Sequence, residues 1–531
     1  MKQKKKLKLK KFYIHPITMF ILFSIILVIL SGILSKLQMQ ATYNTINGNT
    51  NNLDPVLVTI ESLFSISGFK YLISNAMTNF LSFAPLGTLL VSMIGLSIAE
   101  GTGYIETFSK KYLKSMPNWL LTFLVIFIAS CSSLINEIGY AILIPMFALV
   151  YFINGRNPIL GIVTSFCGVA FSYGVSIFVG TMDISLINYT QIGANLIDQN
   201  YHVALSSNLI FIIISTVITS IVGTIVIEKI ISPKIGHYKK EEEFSKTEQY
   251  RVINYEEEEQ KKIEREKNEK KGLRWAFIIG TILLLCYIYA LIPGLPHSGI
   301  LLDLNANTYV DQLFGDNAYF QASFTYMVAL YFIITGLTYG IAAKTIKSDK
   351  ELINESSLKF KDMGSLFILL FVVSQFISIY KKSNMGLIIT TWLTNLLETM
   401  NLSGITLVIV TLLIVAIASL FLTSPTQKWM ILSPVIVPMF MQANISPEFA
   451  QVVMRSGLSM TNGVTILLAN FALFIGFLNI YNLNKKRPYT IGNTLKLIRP
   501  YFLIISLTWI LLVVGWFIIK APIGVGVFPT L

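Results

Sequence analysis

Four ionisable residues stand inside or at the edge of long apolar stretches: Glu137, Asp183, Lys428 and Arg455. Such groups are expensive in a membrane and mark solute paths, ion sites or proton relays where they occur. Asp183 and Glu137 are candidates to carry a proton. Either could equally join hydroxyls and carbonyls around sodium, a hard cation that prefers oxygen. Asn136, Asp183 and Asn462, with Thr461 alongside, are the residues that would line such a site. Arg455 presents a planar fork suited to a carboxylate or a sulfonyl group. Lys428 sits beside Thr426 and Trp429, and the indole could stack on an aromatic ligand. Each residue also has a structural alternative. A carboxylate can cap a half-helix or pair with a base, Arg455 can snorkel, Trp429 can anchor at an interface, and Asn462 can bond between helices.

The segments that must position these residues are apolar and interrupted. The chain has 531 residues, 54% of them hydrophobic and only 13% charged, which predicts an all-α polytopic membrane protein. Residues 117–156 form an apolar run broken at SSLINEIG, and each half is shorter than the roughly 20 residues a spanning helix needs. Lys110, Lys111 and Lys114 precede it and Arg156 follows it, so both ends read as cytoplasmic. The pattern predicts a re-entrant hairpin, the device that builds solute and ion sites in secondary transporters. Residues 402–442 repeat it around TSPTQKW, entering from the other face.

Charge and length together give about nine crossings plus these two opposed hairpins, with the N-terminus inside and the C-terminus outside. Crossings are expected at 16–36, 71–103, 157–181, 204–230, 275–293, 317–343, 363–400, 449–482 and 498–520. Breaks are expected near Phe83-Ala84-Pro85 and at Lys381-Lys382-Ser383-Asn384. An Asn-rich loop follows the first span at 42–55, and 182–203 reads as an outer loop. A charged linker, 232–274, separates an N-terminal half (1–231) from a C-terminal half (275–531), either as a solvated connector or as a helix with Glu–Lys pairs. Ile144-Pro145-Met146-Phe147 in one hairpin matches Val437-Pro438-Met439-Phe440 in the other, which suggests an inverted repeat with a site between the two tips.

Several classes are disfavoured. The net charge of +13 sits beside the spans, as in Lys2 to Lys11, and reads as anchoring to the lipid bilayer rather than as a nucleic-acid surface. The three cysteines and four histidines show no ligand spacing, so neither a metal nor another cofactor is expected. No Walker loop, dinucleotide fingerprint, HExxH or GxSxG occurs, which argues against an ATP-driven pump or a hydrolase. A membrane-embedded enzyme using Glu137 and Asp183 as an acid pair, or a transport-inactive receptor, are the rival classes.

NAMTNFLSFAPLG (75–87), GLSIAEGTG (95–103), NEIGYAILIP (136–145), VGTMDISL (179–186), KWMILSPVIVP (428–438) and ISPEFAQVVMRSG (445–457) together resemble the AbgT family, the p-aminobenzoyl-glutamate transporters. The resemblance runs in order over nearly the whole chain. It implies a homodimer in the bacterial cytoplasmic (inner) membrane. The implied solute is small and anionic, p-aminobenzoyl-glutamate or a related carboxylate, moved on a proton or sodium gradient. Efflux of sulfonamide-like antimetabolites is the alternative within the family. Carried over by position, the site residues are Asp183, Trp429, Pro447 and Arg455. The family pattern has an acid where this chain has Leu458, a Ser where it has Thr426 and an Asp where it has Glu137; prolines expected after Asn462 are absent, with Ile466 and Ala469 near those places. Without an acid at 458, Arg455 is expected to be freer to take an anionic solute.

Overall fold

The computed structural model describes residues 14–46, 53–135, 138–238, 255–315 and 317–531. Helix α1 (Pro16–Lys36) begins with proline in its first turn and a His15 side chain accepting the Ile17 N–H. Proline fits there because its missing donor would have no partner in the first turn. Strands β1 (Gln40–Ile46) and β2 (Leu53–Thr59) follow, paired antiparallel with Gln40 opposite Thr59 and Ile46 opposite Leu53. The Asn-rich loop expected at 42–55 is therefore largely a strand pair. Its Thr, Tyr and Val residues suit a pleated surface, and Ala41 and Val58 pack with Met385 and Ile388.

Helices α2 (Ile66–Ser74), α3 (Ala76–Leu81) and α4 (Ala84–Gly101) confirm the break at Pro85, which lies in the first turn of α4. After α5 (Tyr104–Phe108) come α6 (Asn118–Cys131) and α7 (Ile138–Ile153), joined through a 3-10 turn at Ser132–Ile135. Arg156 clamps the base of this pair. It pairs with Glu228 at 2.6 Å, donates to Thr122 Oγ1 at 3.0 Å and lies over the Tyr151 ring at 4.5 Å.

The crossing expected at 157–181 is split. Helix α8 (Pro158–Phe171) stops, residues 172–180 run non-helically, and α9 (Thr181–Asn195) begins. The stretch read as an outer loop from 182 thus holds a helix with Met182, Asp183, Leu186, Thr190, Gly193 and Ala194 buried. Helix α10 (Leu209–Val226) continues through a π turn into α11 (Ser232–Ile235). Helix α12 (Tyr255–Tyr289) is continuous across the expected boundary at 274/275, so the second part of the linker and the next span are one helix.

Beyond α13 (Tyr309–Phe314), α14 (Phe320–Ala342) packs closely on α4. A Cβ on Gly95 would stand 2.7 Å from Ala329 O, and one on Gly336 would stand 2.9 Å from Ala99 Cα. Small residues let membrane helices approach this way. Replacing Gly95 with leucine is expected to cost about 1–3 kcal/mol by overpacking, read as a lowered Tm of the purified protein in detergent.

Helix α15 (Asp349–Phe360) precedes α16 (Gly364–Lys382) and α17 (Met385–Glu398), which break at Asn384 (φ 60°) as expected. Helices α18 (Gly404–Phe421) and α19 (Pro425–Gln442) are separated at Leu422 to Ser424, as TSPTQKW predicts. The crossing at 449–482 is split like its counterpart, into α20 (Pro447–Thr461), a 3-10 turn at Asn462–Val464 and α21 (Phe471–Ile480). Helix α22 (Ile491–Ile519) ends the bundle.

Eight helices among the described residues are long and apolar enough to cross a membrane. Against nine expected crossings, the two split ones leave the count and α18 joins it. The same order therefore occurs twice: a broken helix pair, then a helix begun by proline behind a polar cap (Asn157 or Ser446), then a break. Every residue of α8 and of α20 is buried, so the two split helices form the centre of the molecule.

Candidate functional site

Two interruptions meet a continuous helix at the centre: the turn between α6 and α7, the unwound run between α8 and α9, and helix α20. Ser133 Oγ on the first donates to Val175 O on the second at 2.8 Å. Gly174 N donates to Ser459 Oγ on α20 at 2.9 Å, and Arg455 Nη1 donates back to Gly174 O at 3.3 Å. Two glycines allow the approach. A Cβ on Gly174 would lie 2.6 Å from Arg455 O, and one on Gly180 would lie 2.7 Å from Leu134 O.

The charged pair sits at this junction. Arg455 Nη2 pairs with Asp183 Oδ1, both side chains almost wholly buried. Asp183 Oδ2 accepts the Gly180 N–H at 2.6 Å, so one carboxylate both caps α9 and neutralises the guanidinium. Arg455 is thus not left without a counter-ion by Leu458; Asp183 fills that role across the helix interface. Its Nε has no partner among the described residues. A cavity of about 10 Å³, roughly the room one water needs, is lined here by Ser133, Leu134, Gly174, Ser176, Asp183 and Arg455 among others.

A second polar rung lies two turns along α9. Trp429 Nε1 donates to Thr190 Oγ1 at 2.8 Å, Gln451 Nε2 donates to the same oxygen at 2.7 Å, and Asn208 Nδ2 donates to Gln451 Oε1 at 2.8 Å. Thr190 is seven residues beyond Asp183, about 10 Å along the helix axis, and Gln451 is one turn before Arg455 on α20. Helices α9 and α20 therefore run antiparallel, joined by two polar rungs, with Trp429 attached to the second.

The structure brings Asp183 and Arg455 together and links Trp429 to them through Thr190. Trp429 is fully buried, with no face open to a ligand. Pro447 opens α20 behind Ser446, whose Oγ donates to Phe528 O at 2.7 Å. Thr426 is partly exposed in the first turn of α19, and Lys428 is buried there with its Nζ on Ser419. None of Thr426, Lys428, Trp429 and Pro447 lines the central cavity. Asn462 Nδ2 donates to the Tyr140 hydroxyl at 3.3 Å, away from Asp183. Asn136 and Glu137 lie outside the described residues. Among the described residues no group of three or more His, Cys, Asp or Glu gathers as for a metal. Sequence reading marked Ser133 only as part of the break at SSLINEIG and missed Thr190, Gln451, Asn208 and the two glycines; FSYGVSIFVG held the local signal for the glycines, which stand inside an apolar run.

Comparison with known proteins agrees with the sequence resemblance. The sequence profile of the AbgT putative transporter family matches residues 10–531. The p-aminobenzoyl-glutamate transport protein of Escherichia coli (strain K12) is 29% identical over 517 residues, 97% of this chain and 94% of that one. Among solved structures, the YdaH transporter of Alcanivorax borkumensis is 27% identical, with 96% of this chain and 100% of that chain covered and a TM-score of 0.47. MtrF of Neisseria gonorrhoeae, from a class of antimetabolite efflux pumps, is 28% identical over 95% and 96% of the two chains, also at a TM-score of 0.47.

Proposed function

The chain belongs to the AbgT transporter family, and on that premise we propose that it is a secondary active transporter of a small anionic solute. The solute proposed is p-aminobenzoyl-glutamate or a related aromatic, amino-acid-derived carboxylate, carried on a proton or sodium gradient. The relative from Escherichia coli supports the solute class through the activity it is named for. The observation that carries the reading is Arg455. Its guanidinium is buried where two helix breaks meet α20, held by one carboxylate, with Nε unpartnered among the described residues beside a cavity. A solute carboxylate entering there would compete with Asp183 for the same fork, because Arg binds carboxylates through paired N–H donors. The displaced Asp183 would then be free to take up a proton or a cation. Solute and coupling ion would thus exchange at one guanidinium, which is the linkage a symporter requires.

Placement in the bacterial cytoplasmic membrane, N-terminus inside and C-terminus outside, is part of the proposal. It is supported by basic residues at 344–361 and 485–487 against loops at 42–55 and 294–316 that hold no Lys or Arg. A homodimer, as the family resemblance implies, completes it.

Uptake of radiolabelled p-aminobenzoyl-glutamate into proteoliposomes, with proton and sodium gradients imposed separately, tests the reading. Gradient-driven uptake by the wild type and background flux in Asp183→Asn is the expected result. Folded wild-type protein that moves none of this solute under either gradient would overturn the solute assignment. Outward movement of a sulfonamide by the same protein would establish efflux instead.

A further inference from the structure

The second polar rung joins more than two helices. Thr190 Oγ1 donates its own proton to Leu186 O at 2.8 Å. Its lone pairs accept the Trp429 Nε1–H at 2.8 Å and the Gln451 Nε2–H at 2.7 Å, so this one hydroxyl is fully used. The polarity of the chain follows. With Thr190 accepting, Gln451 presents its amide nitrogen to the threonine and its oxygen to Asn208, whose Nδ2 donates at 2.8 Å. Four elements therefore meet here: α9 through Thr190, α19 through Trp429, α20 through Gln451, and the N-terminal end of α10 through Asn208. All four side chains are at most 3% exposed.

This rung seats the second hairpin, α18 and α19, on the central helices. The first arm, α18, is bonded to the end of α20 and the turn beyond it. There Thr461 Oγ1 donates to Ala416 O and Thr465 Oγ1 to Leu420 O, each at 2.7 Å. The second arm, α19, lies along α9. Gly193 lets the two approach, since a Cβ there would stand 2.9 Å from Val437 Cβ and 3.1 Å from Ser433 O. Apolar contact of this kind gives closeness but little direction, whereas a hydrogen bond between two buried side chains fixes register. Trp429 supplies that bond one turn from Gly193 and two turns from Asp183 on α9. On α20, Gln451 stands one turn before Arg455. The indole ring itself is fully buried and does not border the central cavity. Its working group is therefore the N–H.

We propose that Trp429 is a positioning residue that acts through Thr190. Its N–H holds the second hairpin in register on the α9–α20 pair that carries Asp183 and Arg455. It thereby sets the rate of transport and not the affinity for the solute. Breaking the bond leaves an indole N–H buried without an acceptor, so the hairpin and the helix pair move as one body. The inference rests on the transporter reading for its effect on flux, but not on which solute is carried.

Substitutions that separate the ring from its N–H test this. Trp429→Phe keeps an aromatic ring and removes the donor, Thr190→Val keeps the shape and removes the acceptor, and Thr190→Ser keeps the oxygen. In proteoliposomes the maximal uptake rate is expected to fall about tenfold in Trp429→Phe and at least as far in Thr190→Val, the effect of one buried group left unsatisfied, with KM unchanged. The double variant should fall no further than Thr190→Val, since both changes remove the same bond, and Thr190→Ser should restore the rate. Hydrogen exchange on the full-length protein, without solute, gives a second readout. Amides of 425–442 should exchange about tenfold faster in Trp429→Phe and Thr190→Val and at the wild-type rate in Thr190→Ser, with α1 as the unchanged reference. A raised KM at an unchanged maximal rate in Trp429→Phe would show that the indole meets the solute and would overturn the proposal. So would wild-type flux in Thr190→Val, additive losses in the double variant, or unchanged exchange over 425–442. Should the wild type move no p-aminobenzoyl-glutamate, the solute assignment falls, and the exchange measurement still decides whether the hairpin depends on the bond.

Discussion

Arg455→Ala is expected to cost about 3–5 kcal/mol of stability, the range for breaking a buried ion pair from one side, and to bring solute uptake to background. The cost arises because Asp183 stays behind as a buried carboxylate held, among the described residues, by the Gly180 N–H. Asp183→Asn is expected to fall in the same range: an amide oxygen can still accept from Gly180, but the buried guanidinium, which cannot deprotonate, loses its counter-charge. Removing both charges separates stability from function. An Asp183→Leu and Arg455→Met double variant leaves no uncompensated charge, and such replacements of buried pairs are often neutral or stabilising. It should therefore regain most of the lost Tm and still move no solute. A double variant that transports would show that the pair only holds α9 against α20. Thermal unfolding in detergent and uptake into proteoliposomes, on the same preparations, decide between the two.

The parts of this arrangement that follow from local patterning were legible in the sequence. The first span ends where its apolar run ends, and Pro85, Asn384 and TSPTQKW mark breaks that occur. Helix α9 was not legible. Its sequence, TMDISLINYTQIGAN, carries Asp, Asn and Gln at the density of a loop, because Asp183, Thr190 and Gln191 bond to protein groups rather than meet lipid. Apolar patterning detects helices that meet lipid and misses those that bury polar groups against other helices. Helix α12 was cut at a change in composition that its backbone ignores, since Glu- and Lys-rich turns propagate a helix as well as apolar ones do. Asp183 and Arg455 were both candidates on grounds of charge in an apolar setting. Their pairing joins residues 272 positions apart, and no spacing rule reaches that far.

Gly174→Ala is the second substitution expected to stop transport, and here space rather than conformational freedom is the cause. The added methyl would lie 2.6 Å from Arg455 O, 3.0 Å from Arg455 C and 2.8 Å from Ser459 Oγ. Two of these atoms are backbone in a helix buried along its whole length, so α20 cannot yield and the unwound segment must withdraw. Withdrawal loses the Gly174 N–H bond to Ser459 and the Arg455 bond to Gly174 O. Overpacking of about 1–3 kcal/mol and about 1 kcal/mol for each lost hydrogen bond give a destabilisation of roughly 3–5 kcal/mol. The functional loss follows because the same carbonyl holds the guanidinium in register with Asp183. Ser459→Ala keeps the Arg455 bond to Gly174 O, loses the Gly174 N–H bond and the Ser459 bond to Arg455 O, and should cost about 1–2 kcal/mol while uptake persists. Gly364→Ala, with nothing within 4 Å of its new methyl, serves as the control and should behave as wild type. Wild-type Tm and flux in Gly174→Ala would mean that the unwound segment is free to shift away from α20, and that Arg455 does not depend on it for its position.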